Sequence, residues 1–317
     1  MSYHIGSFNM RDLNYSNRSE DGEELKRDFE KIAEIIAREE FDVVALQEIN
    51  SVSALNHLKD VLNKKYKNNS HIYQSVFGDG MPTHSKDPER YGFIWNEKRL
   101  RLINVKKGTN PGYYTNAGGI GLIRPPYYGR FTARGMLGGS NFELRLVNTH
   151  IINALRKEER IREFDVLVKQ VLPRICDHQD ISADGEIMPS YTFLLGDYNI
   201  PLNKDPRIFF KIDYITQTKY TGRKRNYITV QESPTSLRKV GTQKTIDECY
   251  ANNYDHFSYE DELLNKLTLE PQRVEALSKY FECEDSAVEK LNAYRTKVSD
   301  HVPIRLSIDL RKRREER

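Results

Sequence analysis

Polar residues that can perform acid–base and metal chemistry stand at the ends of apolar runs in this chain. His150 ends LRLVNTH, Asp197 and Asn199 end FLLGDYN, and Asp300 with His301 opens SDHVPIRLSI. Apolar runs of this kind predict buried strands, so these side chains should emerge where rigid elements leave the core. Carboxylates, amides and imidazoles held in this way can assist the attack of water on a phosphorus ester at a metal ion.

The chain also supplies oxygen donors for a hard divalent cation. The candidates for the metal site are Glu48, Asp197 and Asp300, and Asn9 and Asn199 can orient a phosphate or a water beside them. Since no cysteine pair and no closely spaced histidine pair occurs, we expect Mg²⁺ rather than Zn²⁺, with Mn²⁺ or Ca²⁺ as substitutes. In GDYN, the glycine lets the backbone turn sharply, so that Asp197 and Asn199 project the same way.

The periodicity of the chain predicts the elements that position these residues. Apolar residues recur at helical spacing over 22–40 and 51–66, on either side of the run DVVALQE that ends at Glu48. A third helix is predicted over about 154–175. Short strands are predicted at 73–77, 91–95, 100–105, 129–134 and 141–149. Their spacing is typical of antiparallel strands in a sandwich.

Residues 260–295 follow a helical pattern between two predicted strands. We interpret them as a helical insertion into a single domain that spans 1–310, and the basic residues 311–317 as a solvated C-terminal tail. Because the insertion separates Asp255 from Asp300, it should emerge near the rim of the site. There it could gate substrate access or bind a protein partner, including a second copy of the chain.

The composition limits the class of protein. A chain of 317 residues with 38% hydrophobic and 30% charged residues fits a globular protein with one large core. The 49 basic and 46 acidic residues almost balance, so charge alone does not indicate a nucleic-acid-binding protein. The N-terminus lacks a signal-peptide pattern, and no apolar run is long enough to span a membrane. Three cysteines without close spacing fit a reducing compartment, so we expect a cytoplasmic protein without membrane contact.

Six short motifs follow one another between residues 3 and 308: FNM, LQE, NTH, GDYN, YDHFSY and SDHVPI. In this order they resemble the motifs of the endonuclease/exonuclease/phosphatase superfamily. The segments PERYGFIWNEKRL and LIRPPYYGRFT are most similar to its deoxyribonuclease I branch. The resemblance implies an α/β fold, a four-layer α/β/β/α sandwich in which two packed, mostly antiparallel sheets are flanked by helices. It also implies Mg²⁺-dependent hydrolysis of phosphodiesters.

The same resemblance assigns partners to two histidines. It implies that His150 acts with Glu89, and His301 with Asp255, in two dyads that flank one phosphorus atom. A carboxylate bonded to one ring nitrogen fixes the tautomer, makes the imidazole more basic and leaves the other nitrogen to the substrate. One dyad would activate water while the other protonates the leaving oxygen. The expected catalytic set is Asn9, Glu89, His150, Asp197, Asn199, Asp255 and His301.

Three arginines are candidates for binding substrate phosphate. Arg124 would stabilise the charge that develops on the phosphoryl oxygens, and Arg90 and Arg130 would bind the backbone of a strand. We therefore predict a DNA endonuclease of low sequence specificity, with nucleic acid as its partner. The alternative is a phosphatase or phosphodiesterase that acts on small-molecule, RNA or lipid head-group phosphoesters. A binding module with an inactive site is disfavoured, because every expected polar position is filled.

Overall fold

A computed structural model describes residues 2–18, 24–78, 89–103, 111–114, 122, 124–134, 140–153, 156–177, 189–201, 214–217 and 224–309. The basic tail predicted at 311–317 lies outside these residues.

The described strands form two large sheets. The first contains β1 (Ser2–Leu13), β4 (Val43–Ile49), β5 (Tyr73–Phe77), β6 (Arg90–Asn96), β15 (Thr268–Arg273) and β16 (Ile304–Asp309). The second contains β7 (Leu100–Leu102), β8 (Gly112–Tyr113), β9 (Tyr127–Arg134), β10 (Ser140–His150), β11 (Ser190–Asp197), β12 (Tyr214–Gln217), β13 (Lys224–Val230) and β14 (Asp255–Glu260). A separate ribbon pairs β2 (Ser16–Arg18) with β3 (Glu24–Lys26).

Strand order within the sheets places two parallel pairs near their centres. The first sheet has the order β15-β16-β1-β4-β6-β5 and the second β12-β13-β14-β11-β10-β9-β7, with β8 paired to β9. β1 runs parallel to β4, and β10 runs parallel to β11. The other described pairs are antiparallel, so both sheets are mostly antiparallel, as predicted.

Helices cover the outer face of each sheet. The first sheet is covered by α1 (Phe29–Arg38), α2 (Val52–Tyr66), α5 (Ala276–Tyr280) and α6 (Ala287–Lys297). The second is covered by α3 (Lys157–Val166), which continues through a π-helical turn (Leu167–Val171) into α4 (Leu172–Asp177). A third apolar core, which includes Phe93, Phe131 and Phe193, lies between the sheets. The four-layer α/β/β/α sandwich is therefore confirmed. Among the described helices, none has the length and apolar character to cross a membrane.

The first helix is shorter than the sequence pattern predicts. α1 begins at Phe29 rather than at residue 22, because Asp28 caps it and accepts a hydrogen bond from the backbone N–H of Lys31. The periodic apolar pattern extends past this cap, but residues 24–26 pair as a strand instead.

The segment 260–295 differs from the predicted helical insertion. It contains a 3-10 turn (Asp261–Asn265), β15, α5 and most of α6. β15 pairs with β16 at the edge of the first sheet, where Pro271 is tolerated because an edge strand needs hydrogen bonds on one side only. Leu277, Leu291 and Tyr294 are buried in the core against the first sheet. The segment therefore completes two layers of the domain rather than projecting from it.

Candidate active site

The strands bring the predicted site residues to one edge of the sandwich. The carboxyl ends of the parallel pair β1 and β4 lie together, as do those of β10 and β11. β16 and β14 run antiparallel to β1 and β11, and therefore begin at this edge. The residues gathered here are Asn9, Glu48, Glu89, His150, Asp197, Asn199, Asp255 and His301.

The turn after β11 depends on Gly196. Its φ is +146°, and a Cβ at this position would lie 1.8 Å from the carbonyl oxygen of Thr149 on the neighbouring strand. Asp197 Oδ1 accepts the backbone N–H of Asn199 at 2.8 Å, and the Asn199 side chain donates to the carbonyl of Ile151 at 2.7 Å. Asn199 thus braces the turn, while Asp197 Oδ2 faces the other site residues.

Asn9 connects two carboxylates from different sheets. Its Nδ2 donates to Glu48 Oε1 at 2.8 Å and to Asp197 Oδ2 at 3.1 Å. The orientation of the amide is fixed by its Oδ1, which accepts the backbone N–H of Arg11 at 2.9 Å. The Glu48 and Asp197 oxygens are therefore no farther apart than these two donor distances together. Glu48 itself has a left-handed backbone, with φ +56°, a strained conformation that is frequent at functional sites.

The first histidine dyad joins His150 to Glu89. His150 Nδ1 lies 2.6 Å from Glu89 Oε1, and Arg124 Nη1 lies 2.6 Å from Glu89 Oε2. Arg124 also approaches His150 Nδ1 at 2.8 Å. An arginine N–H can only donate a hydrogen bond. Glu89 is therefore the acceptor for both Arg124 and the His150 ring, and we assign the proton on His150 Nδ1 to the bond with Glu89. The His150 Nε2 atom then faces Glu48 Oε1 and Asp197 Oδ2, both at 3.8 Å.

The second dyad joins His301 to Asp255. His301 Nδ1 lies 2.7 Å from Asp255 Oδ2, and its Nε2 lies 3.6 Å from Asp197 Oδ2. The backbone N–H of His301 donates to the hydroxyl of Ser299, which holds the residue at the entrance to β16. Both imidazoles thus point their Nε2 atoms at one carboxylate oxygen.

Charge neighbours determine the protonation of the two imidazoles. Burial alone would lower the pKa of His150, but Glu89, with Asp197 and Glu48, outweighs burial and raises this pKa to about 9. Burial would likewise lower the pKa of His301, but Asp255 and Asp197 raise it to about 10. In the absence of a bound cation both rings carry a proton at neutral pH.

The pKa values of the carboxyl groups in the site are shifted as well. Burial raises the pKa of Glu48 to about 7, and nearby acids add to this effect against the charge of His150. Burial also raises the pKa of Asp197. The pKa of Glu89 is instead lowered, because His150 and Arg124 overcome the effect of its burial. A cation beside Glu48 and Asp197 would offset this concentration of negative charge.

Asp197, Asp255 and His301 form a buried cluster suited to a divalent metal. One potential ligand atom from each lies within 4.8 Å of the others. Asp255 Oδ1 is buried and accepts no hydrogen bond from the described residues. Asp197 belongs to this cluster and also to the pair that Asn9 connects, so it is the acid common to both candidate ligand sets.

Asp300, expected as a metal ligand, lies outside this cluster. Its Oδ2 is 3.4 Å from Arg11 Nε and 4.0 Å from Arg295 Nη2, and its side chain is 30% exposed. Its charge contributes to the raised pKa of Glu48, so it borders the site. An acid paired with arginine on the surface is a poorer ligand than one that faces buried acids, because the arginine already compensates its charge.

The three arginines occupy different places. Arg124 lies at the first dyad, where its guanidinium binds Glu89. Arg90 donates to the backbone carbonyl of Asn50, on the loop that leads from β4 to α2. Arg130 does not reach the site. It lies in the middle of β9, is 9% exposed and forms a two-bond ion pair with Glu143 at the opposite end of β10 from the site. We correct its expected phosphate-binding role to a structural one, because its donors are used inside the protein.

One supporting residue was not predicted from the sequence. The Tyr91 hydroxyl accepts the backbone N–H of His150 at 3.1 Å and lies 3.4 Å from the carbonyl oxygen of the same residue. It holds the end of β10 while Glu89, two residues earlier, binds the ring. The only sequence signal is its place in the ERYGF segment, next to the predicted acid.

Comparison with known proteins identifies the fold. No protein-family model and no curated protein matches the sequence. An endonuclease/exonuclease/phosphatase family protein from Bacteroides thetaiotaomicron aligns over 97% of both chains, with a TM-score of 0.54 and 14% identity. A mannosyl-6-phosphatase of the same organism aligns over 96% of this chain and 99% of its own, with a TM-score of 0.55 and 14% identity. D. rerio TDP2 complexed with a single-strand DNA product aligns over 97% and 99%, with a TM-score of 0.52 and 16% identity.

The chain therefore has the endonuclease/exonuclease/phosphatase fold over nearly its whole length. At these identities the likeness concerns the fold alone. It does not single out the deoxyribonuclease I branch, which stays a prediction.

Proposed function

We propose that the chain is a metal-dependent phosphoesterase that hydrolyses phosphodiesters, with DNA as its substrate. One observation carries this proposal: Nε2 of His150 and Nε2 of His301 lie 3.8 and 3.6 Å from the same oxygen, Asp197 Oδ2. His150 ends β10 of the second sheet, His301 precedes β16 of the first, and each ring is bonded to its own carboxylate. Two proton-transfer groups beside one point can serve both ends of a displacement at phosphorus.

The chemistry that these residues support is hydrolysis with proton transfer at both oxygens. The oxygen of a water molecule attacks phosphorus, and the bond to the ester oxygen opposite breaks. A cation beside Asp197 would oppose the negative charge that raises the pKa of both rings, and so would favour one neutral imidazole. The neutral imidazole takes a proton from the water, and the other, protonated imidazole gives a proton to the leaving oxygen, so that a phosphomonoester and an alcohol result. Asp197 lies between the two rings and can orient the water, while Glu89 and Asp255 keep the rings in position.

Mg²⁺ is the cation we propose for this site. Asp197 would be the shared ligand, with Glu48 and Asp255 as further oxygen donors, because hard cations prefer carboxylates to imidazole nitrogens. Asp255 Oδ1, which accepts no hydrogen bond from the residues that the structure describes, fits a nearby positive charge, and so does the raised pKa of Glu48. When bound, Mg²⁺ would reduce the negative charge on the phosphoryl oxygens. The protein residues bind it, hold the phosphate and move the protons.

For the substrate we propose DNA, cleaved with low sequence specificity. The described site residues are suited to a phosphate group, and phosphate contacts carry no information about base sequence. TDP2, which has the same fold, has been crystallised with a single-strand DNA product. The ester oxygen that leaves a diester must also be protonated, and the second dyad can supply the proton.

The test is a cleavage assay across substrate classes. Purified protein is incubated with supercoiled plasmid, single-stranded DNA, RNA and inositol phosphates, each with Mg²⁺ or with EDTA, beside an Asp197→Ala control. We expect Mg²⁺-dependent nicking of the plasmid that the control lacks. Intact DNA under all metal and salt conditions, with turnover of a small phosphoester, would instead establish the alternative of a small-molecule phosphatase. The mannosyl-6-phosphatase with the same fold gives that alternative its support.

A further inference from the structure

Tyr254 lies next to His301, one of the two histidines of the site. Its ring centroid lies 6.4 Å from that of His301, and the two planes differ by 25°. The Tyr254 side chain is half-buried, and its main chain is held on both sides. Its N–H donates to Thr235 Oγ1 at 3.2 Å, and its carbonyl accepts the N–H of Tyr198 at 2.8 Å. Tyr254 is therefore a fixed aromatic surface beside a catalytic histidine.

Arg160, on the second turn of α3, is anchored to the segment that leaves the catalytic strand β10. Its Nη1 donates to the side-chain oxygen of Asn153 at 2.7 Å and to the carbonyl of the same residue at 3.3 Å. Asn153 lies only three residues beyond His150. The carbonyl of the intervening Ile151 accepts from the side chain of Asn199 in the GDYN turn. These contacts place the Arg160 guanidinium at the rim of the site.

The charge of Arg160 has no acidic partner among the residues that the structure describes. Its Nε is also buried without a hydrogen-bond acceptor among them. The main chain connects this arginine to Tyr254: the Tyr254 carbonyl accepts the N–H of Tyr198, and the next residue, Asn199, donates its side chain to the carbonyl of Ile151, two residues before Asn153. A cation fixed by neutral groups at the rim of a phosphoesterase site is suited to an anion of the substrate.

We propose that Arg160 binds a second phosphate of a polynucleotide, next to the scissile phosphate, and that the Tyr254 ring packs against the sugar between them. This inference rests on the proposed phosphodiesterase function and narrows its substrate class. A sugar monophosphate has no second phosphate to place at Arg160, whereas every internal position of a nucleic acid strand has one. Arg160 is then a specificity-determining residue that acts through binding and not through proton transfer.

The kinetic test compares two DNA substrates, a tetranucleotide with several phosphodiesters and a dinucleotide with one. We expect Arg160→Gln to increase the ratio of the tetranucleotide KM to the dinucleotide KM about tenfold, because one charge-assisted hydrogen bond to the longer substrate is lost. The matched control is Arg162→Gln, which removes an equal charge from an exposed position two residues along the same helix. The control should leave the ratio unchanged. An equal rise of KM for both substrates, or an equal effect of the control, would overturn the proposal.

A binding measurement without turnover keeps the inference separate from the proposed activity. Fluorescence anisotropy of a labelled tetranucleotide in EDTA is recorded over a range of salt concentrations. We expect Arg160→Gln to reduce the slope of log K against log salt by about one phosphate contact, and Arg160→Lys to retain it. An unchanged slope would refute the role of Arg160. Absence of cleavage by the wild-type protein, with the slope still dependent on Arg160, would instead refute only the phosphodiesterase function.

Discussion

The side-chain amide of Gln47 donates to Asn148 Oδ1 at 2.6 Å and so joins the two sheets directly beneath the site. Gln47 precedes Glu48 by one residue, and Asn148 precedes His150 by two. Both amides are fully buried, and Asn148 also donates to two backbone carbonyls of the first sheet. Apolar packing allows sheets to slide by small amounts, whereas a satisfied polar network in a core allows one arrangement. We infer that this contact sets the separation between the two halves of the site.

Replacing Gln47 and Asn148 should affect the stability and the activity of the protein to different extents. Asn148→Leu should lower the free energy of unfolding by about 1–3 kcal/mol, because it leaves buried donors and acceptors unpaired. The Gln47→Leu/Asn148→Leu double variant should lose less than the sum of the single variants, yet have a reduced kcat, because two apolar side chains can pack without fixing the sheets. Urea unfolding and turnover of the folded protein measure the two effects.

The control for this pair is Asn96→Leu. Asn96 is equally buried but lies at the far end of the first sheet, bonded to the carbonyl of Ser70. It should lose stability and keep kcat. Full additivity in the double variant with an unchanged kcat would show that the Gln47–Asn148 contact has no part in positioning the site.

Removing the carboxylate of either dyad should reduce turnover more than binding. Glu89→Gln and Asp255→Asn each leave the imidazole with a neutral partner, so the ring is less basic and less well oriented. We expect kcat to fall by about 10²–10⁴ with a small change in KM. Asp42→Asn, which weakens the pair with Arg99 at the opposite end of β4, is the control and should keep kcat. A loss confined to KM would argue against proton transfer by the dyads.

Much of the fold and the polar edge could be predicted because their signals are local. A buried strand is an apolar run, and the polar residue that ends it is visible in the sequence, as with Glu48, His150 and Asp197. The turn at Gly196 was readable for the same reason, since its positive φ requires a residue without a side chain. The spacing of the short strands predicted a sandwich of antiparallel strands, and the resemblance to the superfamily implied its four layers.

The remaining features depend on pairing between distant segments. Arg130 has the same local sequence character as a surface cation, and only the register between β9 and β10 places it beside Glu143. β15 carries Glu270, Pro271 and Gln272, which argue against a strand, yet its edge position beside β16 makes this composition acceptable. The pairing of Asp300 with Arg11 likewise joins residues nearly the whole chain apart.

Metal binding should stabilise the folded protein through the acids of the site. Mg²⁺ at about one hundred times its dissociation constant should raise the free energy of unfolding by about 2.7 kcal/mol over the value in EDTA. Glu48→Gln and Asp197→Asn should abolish this increase, because each removes an oxygen donor. Asp300→Asn is the informative control: its carboxylate pairs with Arg11, so the increase should remain. Thermal unfolding with and without Mg²⁺ measures this increase in stability. If Asp300→Asn were the variant that lost it, the ion would bind on the Asp300 side of Glu48 and not on the Asp197 side.

His256 should make the protein less stable in mild acid. The ring is fully buried next to Asp255, and its Nε2 lies 3.3 Å from the carbonyl oxygen of Ile200 and 3.2 Å from that of Asn253. Burial lowers the pKa of His256 to about 4, below its ordinary value of 6.5, although the Asp255 charge opposes the shift. Between these values the unfolded chain binds a proton that the folded protein does not, so stability falls as the pH drops through this window.

The size of this effect can be isolated with a side chain that donates a hydrogen bond but does not titrate. When the pH is lowered from about 7 to about 4.5, the free energy of unfolding of His256→Gln should fall by about 2–3 kcal/mol less than that of the wild-type protein. All other titrating groups are common to both proteins, so the difference reports on His256. At pH 7 the variant is less stable, since glutamine fills the space of the ring poorly. Urea midpoints and slopes at the two pH values give the comparison. Parallel losses in both proteins would show that His256 is protonated in the folded state and that its surroundings accommodate the charge.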